Sequence, residues 1–92
     1  MATSNRWHRA RHHLAVRLAQ RIDLLERLAR SADRDLRYDE HDRLSRLEWR
    51  TAGRLARIWS RLPAHVRPFV RRDVARQGVG ATLVVRVLGG DR

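Results

Sequence analysis

Cysteine is absent from this 92-residue chain, so disulfides and thiolate metal sites are excluded and the redox compartment stays open. Lysine is absent too: all 21 residues counted as Lys+Arg are arginine, against only 10 Asp+Glu. No apolar run approaches the ~18 residues needed to cross a bilayer. Met1 to Arg11 lacks the apolar core of a signal peptide, so the expected location is cytoplasmic. Aromatic residues are few, and no glycine or proline occurs from Met1 to Ala52. Long helices are therefore uninterrupted there by any strong breaker.

What is abundant is positive charge. The formal net charge is +11 and the pI near 11.9, values that favour polyanionic partners, nucleic acid first and anionic membrane second. The length allows one small domain with a modest core.

Apolar periodicity predicts a mainly α fold. A first helix over about 4–31, capped somewhere between Thr3 and Asn5, carries the stripe Trp7, Ala10, Leu14, Leu18, Ile22, Leu25, Leu28 and Ala29. Ser31, Asp33, Asp35 and Asp39 compete for backbone donors and place a turn at Ala32 to Tyr38. A second helix over about 39–62 has the stripe Leu44, Leu47, Thr51, Leu55, Ile58 and Leu62, and stops before Pro63. Folding the two together pairs Leu28 with Leu44, Leu25 with Leu47, Leu18 with Leu55, Leu14 with Ile58 and Ala10 with Leu62. The expected architecture is a long antiparallel hairpin, with Arg21 and Glu48 meeting as a partly buried pair or both reaching out to solvent.

Pro68 suits the first turn of a third helix over about 68–77, with Phe69, Val70 and Val74 inward and Gly78 as its stop. Residues 1–78 form the expected helical domain and 79–92 a tail. Ala81 to Leu88 is rich in β-branched residues and bounded by Gly80 and Gly89, which predicts a strand. A lone strand needs a partner chain. Leu83, Val85 and Val87, with Trp49, are accordingly the expected contacts of a homo-oligomer, while Trp7 and Trp59 are expected in the core.

The charge is unevenly placed. Residues 1–22 hold five arginines and no acid; residues 49–72 hold seven arginines and no acid; the hairpin turn between is slightly acidic. Near the turn, Asp23–Arg27, Glu26–Arg30, Asp39–Arg43 and Asp42–Arg46 have i,i+4 spacing, the acid on the N-terminal side. Further along the second helix, Arg43, Arg46, Arg50, Arg54, Arg57 and Arg61 fall within a wedge of roughly 80°. Arg50, Arg54, Arg57 and Arg61 are the main candidates for phosphate contact, with Arg67, Arg71 and Arg72 beside them and Arg6, Arg9 and Arg11 as an auxiliary arm.

Catalytic and metal signals are weak. His8 and His12 have i,i+4 spacing with His13 adjacent, but no further ligands complete a zinc site. Asp39, Glu40 and Asp42 suit a helix N-terminus, and the serines lack a base at useful spacing. The chain is thus expected to be non-catalytic, with no cofactor, no metal and no small-molecule substrate. The expected function is low-specificity binding of DNA or RNA by an oligomer. The alternatives are a structural subunit whose arginines pair with acidic neighbours, and an adaptor or inhibitor docking on an acidic protein surface. A basic hairpin with a short third helix and a β tail resembles, in architecture, small phage and mobile-element proteins such as packaging and connector subunits. That resemblance implies virion association.

Overall fold

The computed structural model describes the backbone of residues 2–89 and the side chains of residues 6–89. The chain forms four helices: α1 Ala2–Arg34, α2 Tyr38–Arg61, α3 Arg67–Arg76 and α4 Thr82–Leu88. Helices α1 and α2 pack as the antiparallel hairpin, and α3 and α4 cover one side of it, α3 lying against His12 and α4 reaching Glu26. The molecule is a rod of 52 × 21 × 20 Å, its long dimension set by α1 at ~1.5 Å per residue. No helix among the described residues is long and apolar enough to cross a membrane.

The hairpin turn is tighter than expected, and it is built from α1's own C-terminal carbonyls. Leu36 N–H donates to Asp33 O (3.0 Å) and Arg37 N–H to Ala32 O (2.8 Å). This is the Schellman arrangement, with Leu36 in the left-handed position at φ 61°. The same motif ends α3, where Gly78 N–H reaches Ala75 O (3.0 Å), Val79 N–H reaches Val74 O (3.3 Å), and Gly78 has φ 72°. Glycine meets that conformation without a Cβ penalty, and leucine does not. Helix α2 stops before Pro63 and α3 begins with Pro68 in its first turn, both as expected.

The inward face of α2 follows its stripe: Leu44, Thr51, Leu55 and Leu62 are buried, joined by Ala52 and Trp59. The seam of α1 is displaced by about one residue from expectation. Ala15, Leu18, Ala19, Ile22, Leu25, Ala29 and Ala32 are buried, whereas Trp7, Leu14 and Leu28 are exposed. The alanines leave room for the larger side chains of the opposite helix, since close packing rewards volume matching over size alone. Two clusters result. Leu25, Ala29, Ala32, Leu44 and Leu47 pack near the turn, and Leu18, Ile22, Leu55, Trp59, Val70 and Val84 belong to the main core. Leu25 with Leu47 and Leu18 with Leu55 therefore fall in the same clusters. Phe69, expected inward, is 52% exposed.

The rotation of α1 also removes the Arg21–Glu48 pair. Arg21 is exposed and forms no ion pair among the described residues. Glu48 instead lies in the field of Glu26 and Arg30.

The C-terminal segment is a helix, which overturns the expected strand. Leu83, Val84, Val87 and Leu88 recur at i, i+1, i+4 and i+5, so a helix turns all four toward the main core while satisfying its backbone internally. Of the residues expected between chains, Leu83 is buried and Val87 half-buried within this chain, leaving Val85 and Trp49 exposed. Self-association through a shared strand loses its basis. Residues 90–92, which the expected tail included, lie outside those described.

Polar contacts fasten the short helices to the hairpin. The Glu26 carboxylate accepts the Thr82 N–H at 3.2 Å. His12 Nε2 and Asp73 Oδ2 stand 2.6 Å apart, and Gln20 Nε2 donates to Gln77 Oε1 at 3.1 Å. Arg71 Nε donates to Leu88 O at 2.8 Å, joining α3 to the end of α4.

Candidate polyanion-binding face

The exposed side of α2 carries Arg50, Arg54, Arg57 and Arg61, all of them exposed. None of the four guanidinium groups lies within ion-pairing distance of a carboxylate among the described residues. The helix forces this result, because its spacing of 4, 3 and 4 keeps the row on one face and residues 49–72 contain no acid. Gly53 lies within the row, and a Cβ there would meet nothing within 4 Å. Nothing in the packing explains a glycine at this helical position.

At the open end the row meets α1. Arg11 Nη1 reaches the Arg61 carbonyl oxygen at 3.5 Å, and the Arg11 guanidinium sits 5.7 Å from the centre of the Trp7 ring. Arg11 therefore joins the row, while Arg6 and Arg9 are exposed on the preceding turns of α1. Trp7, expected in the core, is 59% exposed.

The three arginines of α3 divide. Arg67 and Arg71 are half-buried, their guanidinium groups 5.4 and 5.1 Å from the Trp59 ring centre. With Arg71 also bonded to Leu88 O, both belong to the packing of α3 on the hairpin. Arg72 is exposed and stacks on Phe69 at 4.9 Å. Position in the sequence did not separate these roles. The signal available was Trp59, a buried ring at the end of α2 that a neighbouring guanidinium can cover.

Near the turn the charges are locally matched. Asp23–Arg27 pairs at 3.0 Å, and Glu26–Arg30 forms as spaced. Arg43 takes Glu40 at 3.2 Å in place of Asp39, and Asp42 lies 3.3 Å from His41 Nδ1 in place of Arg46. Glu48 has its carboxyl raised above its ordinary value, first by burial and then by the charge of Glu26, against the lowering influence of Arg30 and His41.

The histidines are dispersed. His12 is engaged with Asp73, and His8 meets His65 edge-on with ring centres 6.4 Å apart. Among the described residues no three His, Cys, Asp or Glu side chains converge as metal ligands. An open cleft of about 630 Å³ between α3 and α4 is lined mainly by Val74, Val79, Val84, Val85 and Leu88, with Arg71 as its charged member.

No family description, curated protein or solved structure matches this chain.

Proposed function

We propose that this chain is a non-catalytic, arginine-rich protein that binds DNA or RNA by contacting phosphates with little sequence preference. The observation that carries this reading is the row Arg50, Arg54, Arg57 and Arg61, exposed and without an internal counter-charge among the described residues. Such guanidinium groups release counterions from a phosphate backbone when they bind, and each gains more from a phosphate than from dilute salt. Arg6, Arg9, Arg11 and Arg72 extend the positive field beyond the row. Phosphate contacts carry no direct sequence information, so affinity falls on charge and shape.

The test is a salt titration on duplex and single-stranded oligonucleotides. Four phosphate contacts give a slope of log K against log salt of roughly −3 to −4 on duplex. Replacing Arg54, Arg57 and Arg61 together by glutamine leaves about one contact and a slope near −1. Absence of binding at low salt, or an affinity untouched by the triple substitution, overturns the proposal.

A second reading is a structural or adaptor subunit, cytoplasmic or virion-associated, whose arginines pair with an acidic neighbour. The exposed leucines of α1 favour it, because phosphates alone give them no role.

A further inference from the structure

Leu14, Leu24 and Leu28 of α1 are 40–49% exposed, and Trp7 continues their line toward the open end. At about 100° per residue, Trp7 to Leu28 occupies a wedge of roughly 100°, with Arg17 and Arg21 inside it. His12 and Glu26, which bond to α3 and α4, lie on the other flank of α1, roughly 150–170° from the middle of that wedge, while Gln20, which bonds to Gln77 of α3, lies about 40° beyond Leu24. On α2, likewise, Ala52 and Trp59 share the main core with the short helices, and the arginine row occupies the opposite flank. Because the hairpin is antiparallel, those two open flanks form one broad face. Its apolar line on α1 runs beside the half-buried Leu47 and Ile58 of α2. Arg17 and Arg21 stand within that line, and Arg50, Arg54 and Arg57 border it on the α2 side.

We infer that this uncovered face is a docking groove for an acidic amphipathic helix of a partner protein, which would complete a three-helix layer along the hairpin. Three features select that occupant. The leucines and Trp7 lie within one wedge of α1, a surface that can receive the apolar stripe of another helix. Arg17 and Arg21 punctuate the apolar line and the α2 row borders it, and neither Arg17 nor Arg21 has a carboxylate within ion-pairing distance among the described residues, so a partner needs acids beside its apolar stripe. A second copy of this chain fails on charge. Parallel pairing of α1 sets Arg21 against Arg21, and the antiparallel register that joins Leu14 to Leu24 sets Arg17 against Arg21. The inference goes beyond the nucleic-acid reading but shares the α2 arginines with it.

The probe is a synthetic helix of about four heptads with leucine at the apolar positions and glutamate on both flanks. The control is the same helix with lysine for glutamate, and anionic phosphatidylserine–phosphatidylcholine vesicles form a third arm. Fluorescence anisotropy on the full chain is expected to show saturable binding of the glutamate helix alone. Leu14→Ser with Leu28→Ser weakens it by at least about tenfold, the sum of two truncated apolar contacts. The same double variant keeps its helicity and its oligonucleotide affinity, because both leucines are exposed and contact no phosphate. A glutamate helix that does not bind, binding that survives the double substitution, or a leucine dependence found on vesicles instead overturns the groove. Loss of oligonucleotide binding in the parent chain overturns the phosphate reading alone.

Discussion

The Glu26 carboxylate on α1 accepts the backbone N–H of Thr82, the first residue of α4, at 3.2 Å. Glu26 thereby caps a helix that has no capping side chain of its own, while its other oxygen takes Arg30. A seven-residue helix is too short to persist without tertiary support. One carboxylate thus helps decide that the β-branched tail is helical.

Replacing Glu26 by alanine should cost about 1 kcal/mol, the usual worth of a lost N-cap, and loosen α4 before the hairpin. Amide hydrogen exchange is the measurement. Faster exchange confined to residues 82–89 is expected, and α4 amides as protected as in the parent would refute the capping role.

The tail shows why a sequence reading placed this segment wrongly. Composition favours a strand, but Leu83, Val84, Val87 and Leu88 have helical spacing, and tertiary burial overrides propensity. The stripe of α2, the stop at Pro63 and the start of α3 were readable because strong punctuation and large apolar residues agree there. On α1 the core keeps Leu18, Ile22, Leu25 and Ala29 of the expected stripe but takes Ala15, Ala19 and Ala32 in place of Trp7, Leu14 and Leu28. Periodicity alone does not separate these two choices, because large and small residues both recur at helical spacing along this helix. The exposed arginine row follows directly from spacing. The internal use of Arg67 and Arg71 does not, because it depends on where Trp59 comes to lie.

Leu36 holds a left-handed conformation at the hairpin turn, where a Cβ costs roughly 1 kcal/mol. Leu36→Gly should therefore stabilise the chain by up to about 1 kcal/mol, or roughly 4–8 °C in Tm, since the leucine is exposed and loses little packing. Gly78→Ala, at φ 72° in the matching motif of α3, should lower stability by a similar amount. Thermal melts that move the two variants in the same direction would contradict this account of the turns.

Glu48 gives the pH dependence its sign. Burial and the nearby Glu26 charge raise its folded-state pKa above the ordinary 4.5, so the fold prefers the protonated form. The stability it permits is complete below the unfolded value and is lost as pH rises through the folded one. Glu48→Gln mimics the protonated carboxyl. It should melt above the parent at pH 7, with the gap closing as the pH approaches 4. A constant gap across that range would show that charge is not the cause.

Arg71 and Arg54 should separate structure from binding. The Arg71 guanidinium bonds to Leu88 O at 2.8 Å and covers the Trp59 ring, whereas that of Arg54 has no ion pair among the described residues. Arg71→Gln removes a charge-assisted hydrogen bond worth about 1.5–3 kcal/mol and part of a cation–π contact, so Tm should fall clearly. Arg54→Gln should leave Tm within about 0.5 kcal/mol of the parent, as surface changes do. Its effect belongs in the oligonucleotide salt slope, which should flatten by about one unit. Melting curves and salt titrations on both variants check the pair. Should Arg54→Gln destabilise the chain, or Arg71→Gln flatten the slope at unchanged Tm, the division between packing and phosphate-facing arginines would be reversed.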